Sequence, residues 1–146
     1  MNPIFKNIIS VFAYFLLLNS CKNYDNDQIA IVKFSLEGDF GQEYSNFSLF
    51  KLDGKIKAKL ETNGNENGSV LITIDSSTLK KFDGFLLGFK KIGSSGYCTS
   101  IINCKVKTEE ETIDKTNIDC NWNGFEDLKE DIFGKDYREK YLKSTY

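Results

Sequence analysis

An Asp-Gly dipeptide set between two alternating runs constrains this chain more than any other feature. In Phe47-Ser48-Leu49-Phe50-Lys51-Leu52-Asp53-Gly54-Lys55-Ile56-Lys57-Ala58-Lys59-Leu60, the side chains keep the two-residue period of a strand on both sides of the turn. Asp-Gly tolerates positive φ at both central positions, which a type I′ turn requires, and the twist of that turn matches the strands it joins. A two-residue loop also fixes the register, so Leu49 is expected opposite Ala58 and Phe47 opposite Leu60. Phe47, Leu49, Ile56, Ala58 and Leu60 then share one face, with Lys51 as its exception. The other face carries Ser48, Lys55, Lys57 and Lys59, together with Phe50 and Leu52.

The remaining pattern extends this hairpin into a sheet with helices. Ala30, Val32, Phe34 and Leu36 share one face of a strand over 29–36 with Lys33 and Ser35 opposite, and Val70-Leu71-Ile72-Thr73-Ile74 is a strand rich in β-branched residues. Asn63-Gly64-Asn65-Glu66-Asn67-Gly68 is a loop by composition. After the capping candidates Asp75, Ser76 and Ser77, the spacing of Leu79, Phe82, Leu86 and Phe89 predicts a helix over 77–91. Gly84 and Gly88 fit that helix if its backbone lies close against the sheet; a strand over 85–92 is the alternative. Residues 99–107 and 112–120 are expected to form a hairpin around Glu109-Glu110-Glu111, a solvated tip. Asn123 can cap a helix carrying Phe125, Leu128 and Ile132 on one face and stopping at Gly134, with a further turn through Tyr137, Tyr141 and Leu142. The expected fold class is therefore α+β. It comprises an antiparallel sheet of about five to six strands in a meander and hairpins, one helix inserted between strands, and a C-terminal helix. Residues 28–146 make a single domain.

The first twenty residues have a different character. One Lys precedes an apolar run over residues 8–18, which ends almost on Asn19-Ser20-Cys21. As a helix this run spans about 16 Å, roughly half of a bilayer core of about 30 Å, so it has the form of an export signal and not of a membrane span. Leu18-Asn19-Ser20-Cys21 resembles the lipobox of bacterial lipoproteins. That resemblance implies cleavage before Cys21, lipidation of Cys21 and a mature protein held on a membrane of the cell envelope, periplasmic or surface-facing, without spanning it. Residues 1–20 are then the signal peptide, and residues 21–27, rich in Asn and Asp, a solvated tether.

Outside the cytoplasm thiols tend to be oxidised, so Cys98, Cys104 and Cys120 are candidates for a disulfide. A hairpin centred near Glu109 sets Cys98 opposite Cys120 and leaves Cys104 as a buried thiol; a turn shifted towards Thr112 pairs Cys104 with Cys120 instead. Tyr97-Cys98-Thr99, with Asp119-Cys120-Asn121-Trp122-Asn123-Gly124-Phe125 and Leu128, resembles small Bacteroidota lipoproteins of unknown function whose C-terminal half carries a Cys-Thr strand and a Cys-x-Trp-x-Gly-Phe helix start. The resemblance covers about 50 residues and implies that Cys98 and Cys120 are partners; it implies no activity.

The chain has no histidine, which excludes the usual Ser-His-Asp and Cys-His triads and His-ligated zinc. With a net charge of -2 and a pI near 5.3, it lacks the basic surface of a dedicated nucleic-acid binder. Asp119, Asn121, Asn123 and Glu130 have the donor spacing of an EF-hand loop, with Gly124 at the turn position and Asp127 at the ninth. Against calcium stand Glu126 at a position that such a loop fills with an aliphatic residue, and the strand pattern of the incoming segment. Lys51, Lys55, Lys57 and Lys59 form a ladder that could draw anionic headgroups or an acidic partner. No cofactor and no catalytic set are expected. The expectation for function is a non-enzymatic, envelope-anchored binding module with a protein partner, for instance an inhibitor or immunity protein. A calcium-binding lipoprotein and a small carboxylate-based hydrolase are the alternatives.

Overall fold

Period-two patterning is realised almost residue for residue in the computed structural model, which describes residues 28–39, 41–64, 66–93 and 98–144 of the chain. The expected leader, lipidation at Cys21 and tether lie outside the described residues. Four strands form a meander: β1 (Gln28–Gly38), β2 (Gly41–Leu52), β3 (Lys55–Gly64) and β4 (Glu66–Ile74). Helix α1 (Ser76–Lys91) follows, then the hairpin of β5 (Ser100–Thr108) and β6 (Thr112–Ile118), α2 (Gly124–Phe133), α3 (Tyr137–Tyr141) and β7 (Leu142–Ser144). The strands make one 7-stranded sheet in the order β6-β5-β1-β2-β3-β4-β7, and all of its pairs are antiparallel.

The Asp53-Gly54 turn has the anticipated geometry. Leu52 pairs with Lys55, Leu49 with Ala58 and Phe47 with Leu60, while Asp53 and Gly54 take φ of 52° and 73°. Lys51 pairs with Ile56 on the helix-covered face and so stands apart from Lys55, Lys57 and Lys59. The expected loop at 63–68 is mostly absent. β3 runs to Gly64 and β4 starts at Glu66, because Asn63 and Gly64 stay paired with Tyr44 and Glu43 of β2 and Glu66 and Asn67 pair with β7, although the pairing of β3 with β4 itself ends at Thr62 with Gly68.

Helix α1 forms where the spacing places it. The Asp75 carboxylate accepts from the Thr78 amide at 2.8 Å and the Ser77 hydroxyl at 2.8 Å. These bonds favour the ionised form and hold its pKa at about 2. At 16 residues the helix is about 24 Å long, enough to cross from β4 over the inner face and deliver β5 beside β1. There the sheet is closed by Phe34 stacked on Phe125 at 4.7 Å, and by Phe47 between Phe82 at 6.1 Å and Phe133 at 6.0 Å.

Gly84 and Gly88 do not lie against the sheet. Both are exposed, and a Cβ added at either would meet nothing within 4 Å. A helix-interior glycine without a close neighbour only loses backbone entropy, so Gly84→Ala and Gly88→Ala are each expected to stabilise the domain by about 1 kcal/mol. Urea unfolding measures this, and a loss of stability in either variant would refute the open geometry. Gly124 is the opposite case. Its missing side chain leaves the space that the Trp122 indole fills, and from there Trp122 reaches Phe89 at 5.6 Å and Phe85 at 6.4 Å.

Candidate functional site

The disulfide joins Cys98, just before β5, to Cys120, just after β6, with Cα atoms 5.9 Å apart. Cys104 is the buried free thiol on β5. Burial, with Asp114 nearby, pushes it up to about 12, so it stays a protonated, unreactive thiol at neutral pH.

The segment with the EF-hand donor spacing has another shape. Asp119 accepts from the Asn121 backbone and side-chain amides at 2.9 and 3.1 Å, an Asx turn. From Gly124 onward the chain is α-helix, which sets Glu130 about 9 Å further along the axis. A ring of ligands around one ion does not form from this arrangement. Among the described residues Asp119 groups with Cys98 and Cys120 and does not form a ligand cluster with Asp127 and Glu130, and both sulfurs are committed to the disulfide.

A buried ionic network lies on the first two turns of α2, on its sheet-facing side. Lys129 has its side chain 3 % exposed. Its ammonium meets Glu43 of β2 at 3.1 Å and Glu126 at 2.8 Å, and lies 5.1 Å from the Phe125 ring centre. Glu126 also binds Arg138 at 2.8 Å and accepts from the Tyr137 hydroxyl at 2.7 Å. Ser45 donates to Glu43 at 2.9 Å. Burial alone would depress the Lys129 pKa, but the carboxylates of Glu43 and Glu126 outweigh it and hold it above the ordinary value. Burial likewise opposes ionisation of Glu126, and Lys129 reverses the effect, leaving that pKa lowered. Through these ion pairs and hydrogen bonds, with Lys129 over the Phe125 and Tyr137 rings, the network fastens α2 and α3 to the sheet.

The three described helices pack on one face of the sheet, and among the described residues nothing covers the other. Across it runs a depression of about 570 Å³, floored by the central strands and lined by Lys33, Ser35, Tyr44, Asn46, Asn103 and Lys105 among others. The period of two brings Lys33, Lys55, Lys57, Lys59, Lys105 and Lys107 to this face against Glu37, Glu61 and Asp114. Glu61 is bound by Lys59 at 2.6 Å and Asp114 by Lys105 at 2.9 Å, and Tyr44 donates to Glu37 at 3.2 Å. Lys33, exposed in the middle of β1 between Lys105 and Asn46, makes no ion pair among the described residues. Glu61 and Asp114 stand on β3 and β6, four strand spacings or about 19 Å apart along the sheet. That is well beyond the separation of the two carboxylates of a glycosidase.

The Lys55, Lys57 and Lys59 part of this face was legible in the hairpin. Lys33 and Lys105 join it only because β5 pairs with β1, which no local signal specifies. No protein-family model matches the chain, and no curated protein matches it.

Proposed function

We propose that this chain is a non-enzymatic binding module of the bacterial cell envelope, carried by a lipid on Cys21, whose open sheet face docks an acidic protein partner in the manner of an inhibitor or immunity protein. The observation that carries this reading is the segregation of charge. A chain of net charge -2 gathers a lysine excess on one face, with Lys33, which has no ion pair among the described residues, beside the central depression. Such a field steers an acidic partner and sets its orientation. A hollow of this size suits an inserted chain segment better than the flat surface of a bilayer. The lipobox resemblance supports the anchor, and the Cys98–Cys120 disulfide is compatible with an oxidising location.

The test is crosslinked capture from envelope membranes with the tagged full chain, compared with a Lys33→Glu, Lys105→Glu variant. An acidic protein is expected to be captured by the native chain, to be released as salt rises, and to bind the variant at least about tenfold more weakly, equivalent to roughly 1.4 kcal/mol. Intact-mass analysis should find the chain beginning at an acylated Cys21. Equal capture by both chains, or an unprocessed N-terminus, overturns the reading.

A further inference from the structure

A sheet edge exposes a row of unpaired peptide groups, and natural sheets guard it with charge, proline, bulges or a covering element. The two edges of this sheet are treated differently. β6 carries Asp114 and Lys115, and its pairing with β5 is interrupted by a bulge between Ile102 and Cys104. β4 is covered by β7 only at Glu66, Asn67 and Gly68. Over residues 69–74 it pairs with β3 alone among the described residues. That stretch, Ser69-Val70-Leu71-Ile72-Thr73-Ile74, has no charge, proline or bulge, and its Leu71 is 52 % exposed.

We infer that β4 pairs antiparallel with β4 of a second copy of this chain, about a two-fold axis at Ile72, to form one sheet that continues through both subunits. The register follows from what flanks the free edge. Gly68 is already paired with Leu142 of β7, so an axis one residue earlier would bring Ile74 of one copy onto an occupied position of the other. The axis at Ile72 is the first that clears β7. It sets Val70 against Ile74 and Leu71 against Thr73, and its outermost pair, Ser69 with Asp75, lies where α1 begins.

A second copy is the occupant that this edge fits. In an isologous contact each side chain meets the same surface patch of its twin, so an edge charge would face a like charge. The neutrality of residues 69–74 removes that penalty, and a charged partner would gain nothing there. The chain's own ends fit less well. β7 runs antiparallel to β4 from Gly68 towards Glu66, away from Ser69. β1 lies three strands inward and is preceded by Asn- and Asp-rich sequence that disfavours strand pairing. The pairing is independent of the partner proposed for the open face, and it would set two such faces side by side, giving bivalent attachment.

Sedimentation velocity of the full chain in density-matched detergent, over a dilution series, tests the inference. The native chain is expected to sediment as a dimer that dissociates on dilution, since one strand pair is a small interface. A Leu71→Lys, Thr73→Lys variant, which sets lysines opposite one another across the axis, is expected to be monomeric throughout and still folded, its melting temperature lowered modestly because the new lysines also stand opposite Lys59 and Lys57 of β3. Those amides of residues 69–74 that point away from β3 should exchange slowly with deuterium in concentrated protein and rapidly in dilute protein. A native chain that is monomeric at every concentration, a dimer that survives both lysines, or protection that does not change with dilution would each overturn it, the last by showing that another part of the same chain covers the edge.

Discussion

Lys129→Met is expected to destabilise the domain by about 3 kcal/mol and to lower its melting temperature by roughly 10 °C. The ammonium is almost fully enclosed and is the only ionic partner of Glu43 among the described residues, so removing it strands a part-buried carboxylate that keeps just the Ser45 hydroxyl. Glu126 suffers less, because Arg138 and the Tyr137 hydroxyl remain. Adding Glu43→Gln to Lys129→Met should therefore recover most of the loss, with a coupling energy above about 1 kcal/mol in a double-mutant cycle. The pH dependence has a defined sign. The lowered pKa of Glu126 stabilises the fold above the ordinary carboxylate range, and this contribution disappears as pH falls through the folded value. The raised pKa of Lys129 stabilises below the ordinary lysine range and is lost as pH climbs through the folded value. The variant should show a shallower dependence at both limits. Urea unfolding across pH measures all of this, and a penalty under 1 kcal/mol at neutral pH would show that the network contributes little.

Opening the disulfide is the second large effect. A Cys98→Ser, Cys120→Ser variant releases a loop with a sequence separation of 22, and the chain-entropy model assigns its closure about 3 kcal/mol. The consequence is local as well as global. Cys120 is followed by the turn that delivers Trp122 onto Phe85 and Phe89, and Trp122 is the one tryptophan of the chain. Its fluorescence should shift to longer wavelength in the variant at temperatures where the native protein is unchanged. An unaltered melting temperature and spectrum would mean that packing at the start of α2 suffices without the bond.

Features decided by neighbours along the chain were legible in the sequence. The Asp53-Gly54 turn, the cap at Asp75 and the stop at Gly134 each depend on a few adjacent residues, and each stands where the pattern placed it. Pairings between distant segments were not. Nothing near Ser100–Thr108 states that it will lie beside β1, and Leu142–Ser144 is too short to carry a strand period, so the sheet was expected with fewer strands than its 7. The glycines of α1 were legible as an anomaly but assigned to the wrong face, because spacing along a helix does not say which side is covered. The Lys129 network left a faint trace. Lys129 falls on the buried stripe with Phe125, Leu128, Ile132 and Phe133, and Glu43 holds the same phase as Ser45 and Phe47 on β2. Two opposite charges in core phase are a signal, but one that gains meaning only when elements 86 positions apart are brought together.

The position of β1 between β2 and β5 also governs the order of events as the chain folds. The meander and α1 can assemble from near neighbours, but the inner strand keeps a bare flank until the second hairpin arrives from far downstream. Non-local pairing of this kind slows folding. A ribosome stalled after α1, or a truncation at that point, would therefore release a half-sheet whose exposed seam runs through Ala30 and Val32, the species most prone to aggregate.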